Sequence, residues 1–350
     1  MHYIRLLSPP KVTVGSKSEI GVSAVLAVTT DLGDDFYGND LILDARLVDG
    51  HNVERIIKQQ NFNWQAHARA LKISLTCPGK YASRDVYMHV STRQAINPKS
   101  CIPTVLDVWS AQFHLTDKQR AESFVERRFA LPGNSVLRVV EGTGDSIARH
   151  VWDASLGFLI YLEQVLTKST NYEHQTDVTR LLSGQHTKPL QVIELGSGCG
   201  TVGIALAQLI RCDVVLTDLD DAEEIMAKNR RLATPKAGST LSSKMLDWSE
   251  GVNEGLGTQF SLVLVSDCIY NPDSSVHLVK TLRELSRRSP AVNILVGYKR
   301  RHSADKIFFD HMQQAGFRTA ATHSIQLPQQ EALAEDVPTI IEFYEYQWKH

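Results

Sequence analysis

No apolar run in this chain approaches the roughly 18 residues that a membrane helix needs, so no membrane partner is expected. The opening stretch, MHYIRLLSPPKV, is too short in its apolar part for a signal peptide. An excess of one charge is also missing. The 37 lysines and arginines face 39 aspartates and glutamates, a formal net charge of -2, which gives no electrostatic case for nucleic acid. Cysteine is sparse: Cys77, Cys101, Cys199, Cys212 and Cys268 are scattered, odd in number and form no CxxC pair. Free thiols in a reducing compartment are expected, in the cytoplasm with the nucleus also open. His51, His67 and His89 are isolated. They lack the close spacing of metal ligands, so no metal is expected.

What is present is ordinary globular composition, 43% hydrophobic and 22% charged over 350 residues, enough for about two domains. Residues 1–115 read as a β-rich module. Short β-favouring runs at 20–29, 41–48, 71–77, 86–92 and 104–113 are separated by Gly, Pro, Asn and Asp. Residues 54–60 read as one or two helical turns, and 117–129 as a short helix or linker. Nothing in this module looks catalytic. Residues 116–350 read as a second domain.

That domain is organised around QVIELGSGCGTVGIALAQLIRCDVVLTDLDD at 191–221. A short apolar run is followed at once by Gly196, Gly198 and Gly200, which suit a sharp turn and close approach of a ligand to backbone. Val202, Ile204, Ala205, Leu206 and Leu209 mark one face of a helix. A second buried strand then ends in Asp218. Ligands of open α/β sheets bind outside such strand ends, and a carboxylate there can accept both hydroxyls of a ribose. The unit reads as a nucleoside-cofactor site. Gly198 to Gly203 also fits the dinucleotide pattern GxGxxG. Glu194, just before the first glycine, puts a negative charge near the loop, which favours cationic S-adenosylmethionine over NAD.

Around this unit, 135–141 reads as a strand and 150–166 as a helix, with Trp152 and Asp153 at its start. Trp152 leaves two readings open, core packing and a wall of the cofactor site. Residues 171–188 read as a loop. Leu246-Asp247-Trp248 ends a further segment, where Asp247 can accept from an exocyclic amine and Trp248 can stack on a base. A buried strand at 260–266 runs into Asp267-Cys-Ile-Tyr270. Further helices, a strand at 292–298 and two final strands follow. With no helix between them, the last two should pair antiparallel. The order gives a doubly wound, seven-stranded Rossmann-like α/β sheet with a C-terminal antiparallel hairpin.

The set W-D-A at Trp152, E-L-G-S-G-C-G at Glu194 to Gly200, T-D at Asp218, L-D-W at Trp248 and D-C-I-Y at Tyr270 resembles the family-16 seven-β-strand methyltransferases. That group includes lysine methyltransferases acting on chaperones, valosin-containing protein and elongation factors. The resemblance covers about 135–350. It implies S-adenosylmethionine as cofactor and a protein substrate. By position, Trp152 would border the cofactor, and Glu194, Gly196, Ser197, Gly198 and Gly200 would cradle its methionine part. Asp218 would hold the ribose, Asp247 and Trp248 the adenine, and Asp267 and Tyr270 would meet the reacting amine. One departure is the basic run Tyr298-Lys-Arg-Arg-His302, which suits either an acidic protein surface or a solvated loop.

Histidine, an N-terminal amine or a small molecule remain alternative acceptors. A nicotinamide oxidoreductase would need a Tyr-x-x-x-Lys pair or a suitably placed histidine, and neither stands at a strand end. A non-catalytic adaptor built on the same fold is the third reading.

Overall fold

The computed structural model describes residues 1–14, 19–92, 102–117, 119–144, 146–167, 176–184, 186–257, 259–329 and 337–349. Cys101 lies outside them. The chain forms two compact units: Met1–Arg128 with Val140–Ser146, and Phe129–Val139 with Ile147–His350. The division expected at 115/116 is therefore crossed by residues 116–128, which count with the first unit.

The first unit is built of β1 (His2–Val14), β2 (Glu19–Thr29), β3 (Leu41–Asp49), β4 (Ile56–Trp64), β5 (Leu71–Pro78) and β6 (Asp85–Thr92). Three short strands follow, β7 (Val105–Leu106), β8 (Val108–Ser110) and β9 (Phe113–His114), and then β10 (Phe124–Leu131) and β11 (Ser135–Gly142), parts of which count with the second unit. One sheet runs β5-β2-β1-β7 and the other β11-β10-β8-β6-β3-β4. Ile4, Val22 and Leu75 from the first sheet share one hydrophobic cluster with Leu43, Met88 and Val108 from the second. The β-rich reading holds, with two corrections. Residues 56–60 belong to β4, and 124–129 to β10, where cross-strand pairing overrides local propensity. β1 went unseen because Pro9 and Pro10 interrupt it. They fall where its register against β2 shifts, between Ser8 and Lys11, a place where a sheet tolerates residues without an N–H.

The second unit carries a seven-stranded sheet, as expected. Its strands are β12 (Leu190–Leu195), β13 (Cys212–Asp218), β14 (Thr240–Met245), β15 (Leu262–Ser266), β16 (Asn293–Lys299), β17 (Phe317–Gln326) and β18 (Ile340–Trp348). The order is β14-β13-β12-β15-β16-β18-β17. The first five are parallel. β17 and β18 pair antiparallel, and β18 also inserts antiparallel against β16.

Helices α1 (Asp153–Thr167), α2 (Asp177–Ser183), α3 (Thr201–Leu209), α4 (Glu223–Leu232), α5 (Pro272–Arg288) and α6 (Lys306–Gln314) accompany the strands. α2 corrects the loop expected across 171–188. Thr176 caps it, its hydroxyl accepting from Thr179 N at 3.1 Å. β12 and β15 are buried almost throughout, as parallel strands covered on both faces must be. The strand order reverses between β12 and β15, so a crevice opens beyond their C-terminal ends. The glycine loop and Asp267 both sit there.

Candidate active site

The loop after β12 owes its shape to glycine. Gly196, Gly198 and Gly200 have φ of 62°, 52° and 74°, a left-handed region costly for residues with a Cβ. Space is also closed. A Cβ on Gly196 would lie 2.5 Å from Cys268 Sγ, and one on Gly198 2.9 Å from the Ala148 carbonyl. The loop is stitched to β13. Ser197 N donates to Thr217 O at 2.9 Å, and Thr217 N donates to Ser197 Oγ at 3.0 Å. Asp218 completes the seam. Its Oδ2 accepts from Gly198 N and its Oδ1 from Leu219 N, each at 2.7 Å. Burial raises the Asp218 carboxyl pKa, against the pull of those two amides.

Beyond these strand ends lies a cavity of about 400 Å³, within the range of small-molecule sites. Trp152, Gly196, Ser197, Gly198, Asp218, Asp247, Trp248, Asp267 and Tyr270 all line it. Nine of the eleven expected site residues thus meet in one place. Gly200 stands outside it as the residue that opens α3.

Glu194 also stands outside the lining, and its expected role needs correction. Its side chain is buried and turned into the fold, where Oε2 accepts from Gly203 N at 2.9 Å. Burial pushes its carboxyl up to about 8. Glu194 ties strand to helix from inside the fold and is not part of the cavity lining. The negative character comes instead from Asp218, Asp221, Asp247 and Asp267, and no lysine or arginine is among the lining residues.

Asp247 sits at the turn after β14. Its Oδ1 accepts from Ser249 N at 2.8 Å and from Ser249 Oγ at 2.7 Å, and these bonds lower its pKa. Trp248 Nε1 is shielded from solvent and has no hydrogen-bond partner among the described residues. The wall thus includes a residue with an unmatched donor. Trp152 is partly exposed and lines the cavity, its Nε1 donating to Ile147 O at 3.0 Å.

Asp267 follows β15 with φ of 58°. Aspartate is among the few side chains that tolerate this region, and strain of this kind gathers at functional sites. Its N–H donates to Gly297 O at 2.9 Å. Its carboxylate receives Arg301 Nη2 at 2.5 Å, with both side chains buried. Tyr270 is half exposed, and its hydroxyl makes no hydrogen bond among the described residues. Burial holds its pKa above the usual phenol value.

In the basic run at the end of β16 the three cations are ion-paired, Lys299 and Arg301 inward, while Arg300 and His302 stay exposed. Lys299 pairs with buried Asp153 at 2.8 Å, Arg300 with Glu342 at 3.1 Å and Arg301 with Asp267. Sequence reasoning saw the charges and missed their direction. Ile147, Ser155, Ser266 and Asp221 also line the cavity. No spacing rule points to the first three.

A cavity lined by Asp218, Asp221, Asp247 and a left-handed Asp267 thus lies at the switch point of the seven-stranded sheet. The family model described as lysine methyltransferase matches residues 132–315. The chain belongs to the lysine methyltransferase family. A UPF0665 family protein of Schizosaccharomyces pombe is similar along most of its length, 28% identical over 89% of this chain and 92% of that one. Protein N-lysine methyltransferase METTL21A of Xenopus tropicalis is 30% identical over 48% of this chain and 67% of its own. Protein-lysine N-methyltransferase EFM6 of Saccharomyces cerevisiae is 29% identical over 51% and 74%. Membership makes the chain an S-adenosylmethionine-dependent methyltransferase.

Proposed function

We propose that the chain transfers a methyl group from S-adenosylmethionine to a lysine side chain of a protein, in the cavity beyond β12, β13 and β15. The observation that carries this reading is the acidic lining of the cavity: four aspartates, Asp267 among them paired to Arg301 from behind the wall, and no lysine or arginine among the described lining residues. Such a wall suits a cationic cofactor and a cationic acceptor, and opposes the pyrophosphate of a dinucleotide.

The residues fit the cofactor. Asp218 has acceptor capacity beyond its two backbone amides for a ribose diol. Asp247 keeps a second oxygen for an amine, Trp248 offers an aromatic face, and the left-handed glycines bring bare backbone to the wall. When bound, the cofactor supplies an electrophilic methyl group and its own leaving group.

The chain must then supply a neutral amine in line. A free lysine has a pKa near 10.4, so close to neutral pH about one in a thousand is neutral, a cost of roughly 4 kcal/mol. Removing the amine from water lowers that pKa. Asp267, at the end of β15, orients the amine through its carboxylate oxygen. Tyr270 contributes its free hydroxyl or its ring face on the other side of the acceptor.

The test is to incubate unmethylated cell lysate with tritiated S-adenosylmethionine with and without the protein, and to map the label by mass spectrometry. Label on lysine of one or a few proteins is expected. Label confined to histidine, N-termini or small molecules would overturn the acceptor assignment.

A further inference from the structure

We propose that Arg301 sets the charge that the acceptor meets, by cancelling the Asp267 carboxylate from behind the cavity wall. The proposal rests on the lysine methyltransferase reading and extends it to a residue that does not line the cavity. Arg301 would be a positioning residue, acting only through Asp267.

Three observations support it. First, the pair is close and enclosed: Nη2 to Oδ2 is 2.5 Å, with side chains 9% and 5% exposed. Second, the arginine is held on its other side, its Cζ 5.7 Å from the centre of the Trp152 ring, a residue of the cavity wall. Third, the loop that delivers it is built rather than loose. Asp305 Oδ2 accepts from Arg301 N at 3.1 Å, from His302 N at 3.0 Å and from the buried Tyr298 hydroxyl at 2.7 Å. Lys299 is fixed to buried Asp153 and Arg300 to Glu342. The neighbouring Lys299 and Arg300 thus pair with other carboxylates, and Arg301 pairs with Asp267.

The chemical consequence follows from charge. A bare carboxylate beside the acceptor would stabilise its ammonium form and oppose the proton loss that transfer requires. A carboxylate already paired with a guanidinium still orients an N–H but adds little net field. Arg301 thereby keeps the acceptor amine easier to deprotonate, and keeps Asp267 from drawing the cofactor's sulfonium too strongly.

Cys268 and Tyr270 stand on the same loop as Asp267; Cys268 also feels Asp218 and Glu194, and Tyr270 also feels Asp218 and Asp221. Asp247, His150 and His277 line the same cavity. All are present in every variant below, so differences between variants report the pair.

The experiment uses the full chain as wild type, R301Q, R301K and the double variant D267N/R301Q. Calorimetry measures affinity for S-adenosylmethionine and for its uncharged product S-adenosylhomocysteine. Methyl transfer into unmethylated lysate protein is followed against pH. In R301Q the preference for the sulfonium over the thioether should grow by roughly tenfold. The rising limb of the pH profile should move up by about one unit or more. R301K and the double variant, which restore the net charge, should return both toward wild type. An R301Q protein with wild-type preference and profile overturns the proposal, as does a double variant that stays with R301Q. Should R301Q fail to unfold cooperatively, R301K decides: a wild-type preference upholds the proposal and a shifted one overturns it. The cofactor preference needs no acceptor. A failure of the lysine assignment, seen as binding without lysine methylation, is therefore distinguishable from a failure of this one.

Discussion

Changing Asp218 to asparagine keeps its volume and removes one charge where the glycine loop meets β13. In the free protein both oxygens are engaged, Oδ2 with Gly198 N and Oδ1 with Leu219 N, each at 2.7 Å. An amide accepts on one side only, so one backbone N–H is left facing another N–H. In the proposed complex, ribose hydroxyls that would meet a carboxylate meet an amide instead. A hydrogen bond to a charged group contributes about 1.5–3 kcal/mol. Losing the charge on two of them, partly replaced by the amide oxygen, should cost about 3 kcal/mol, or roughly a hundredfold in Kd. The assay is calorimetric titration of S-adenosylhomocysteine, which carries no sulfonium and so isolates the ribose contact from the charge of the cavity. Thermal unfolding shows whether the variant is folded. A folded Asp218→Asn protein whose Kd stays within about threefold of wild type would refute the ribose assignment.

Three further outcomes are expected. Glu194→Gln should remove a pH dependence of stability. The buried carboxyl has its pKa raised to about 8, above its value in the unfolded chain. Its favourable contribution is complete below the unfolded pKa and fades as pH rises through about 8. Denaturant unfolding should show the variant gaining on wild type by a few kcal/mol, in order of magnitude, between pH 5 and pH 9. A gap that stays constant over this range contradicts the burial argument. Gly198→Ala must hold a Cβ at φ 52°, 2.9 Å from the Ala148 carbonyl. It should lose about 1–2 kcal/mol of stability from backbone strain alone and bind S-adenosylhomocysteine more weakly. Full retention of both would mean that the loop is free to rearrange. Asp267→Asn should lower turnover by about a hundredfold through misplacement of the amine, with S-adenosylhomocysteine affinity nearly kept. Unchanged turnover would remove Asp267 from the acceptor site.

How much of this was legible beforehand depended on how far apart in sequence the interacting parts lie. The unit from β12 to β13 is contiguous, and its glycines and terminal Asp218 report a local backbone geometry, so its strand–loop–helix–strand shape could be read directly. Asp247, Trp248, Asp267 and Tyr270 stand beside strand ends, and motif order sufficed to gather them. Glu194 was placed correctly in the chain and wrongly in space. A strand buried on both faces has no polar side from which to infer direction, and only the fold brings Gly203 N within 2.9 Å of Oε2. Arg301 was harder still. Its partner is 34 positions away, and the turn that aims it depends on Asp305 gathering three donors. In the first unit, β1 hid behind two prolines that its register shifts accommodate.

The measurement that bears most directly on the account is a crystal structure of the protein with S-adenosylhomocysteine. The account predicts ribose hydroxyls on the Asp218 carboxylate, the adenine between Asp247 and Trp248, and the sulfur turned toward Asp267. A nucleoside bound elsewhere, or one whose ribose leaves Asp218 untouched, would contradict it.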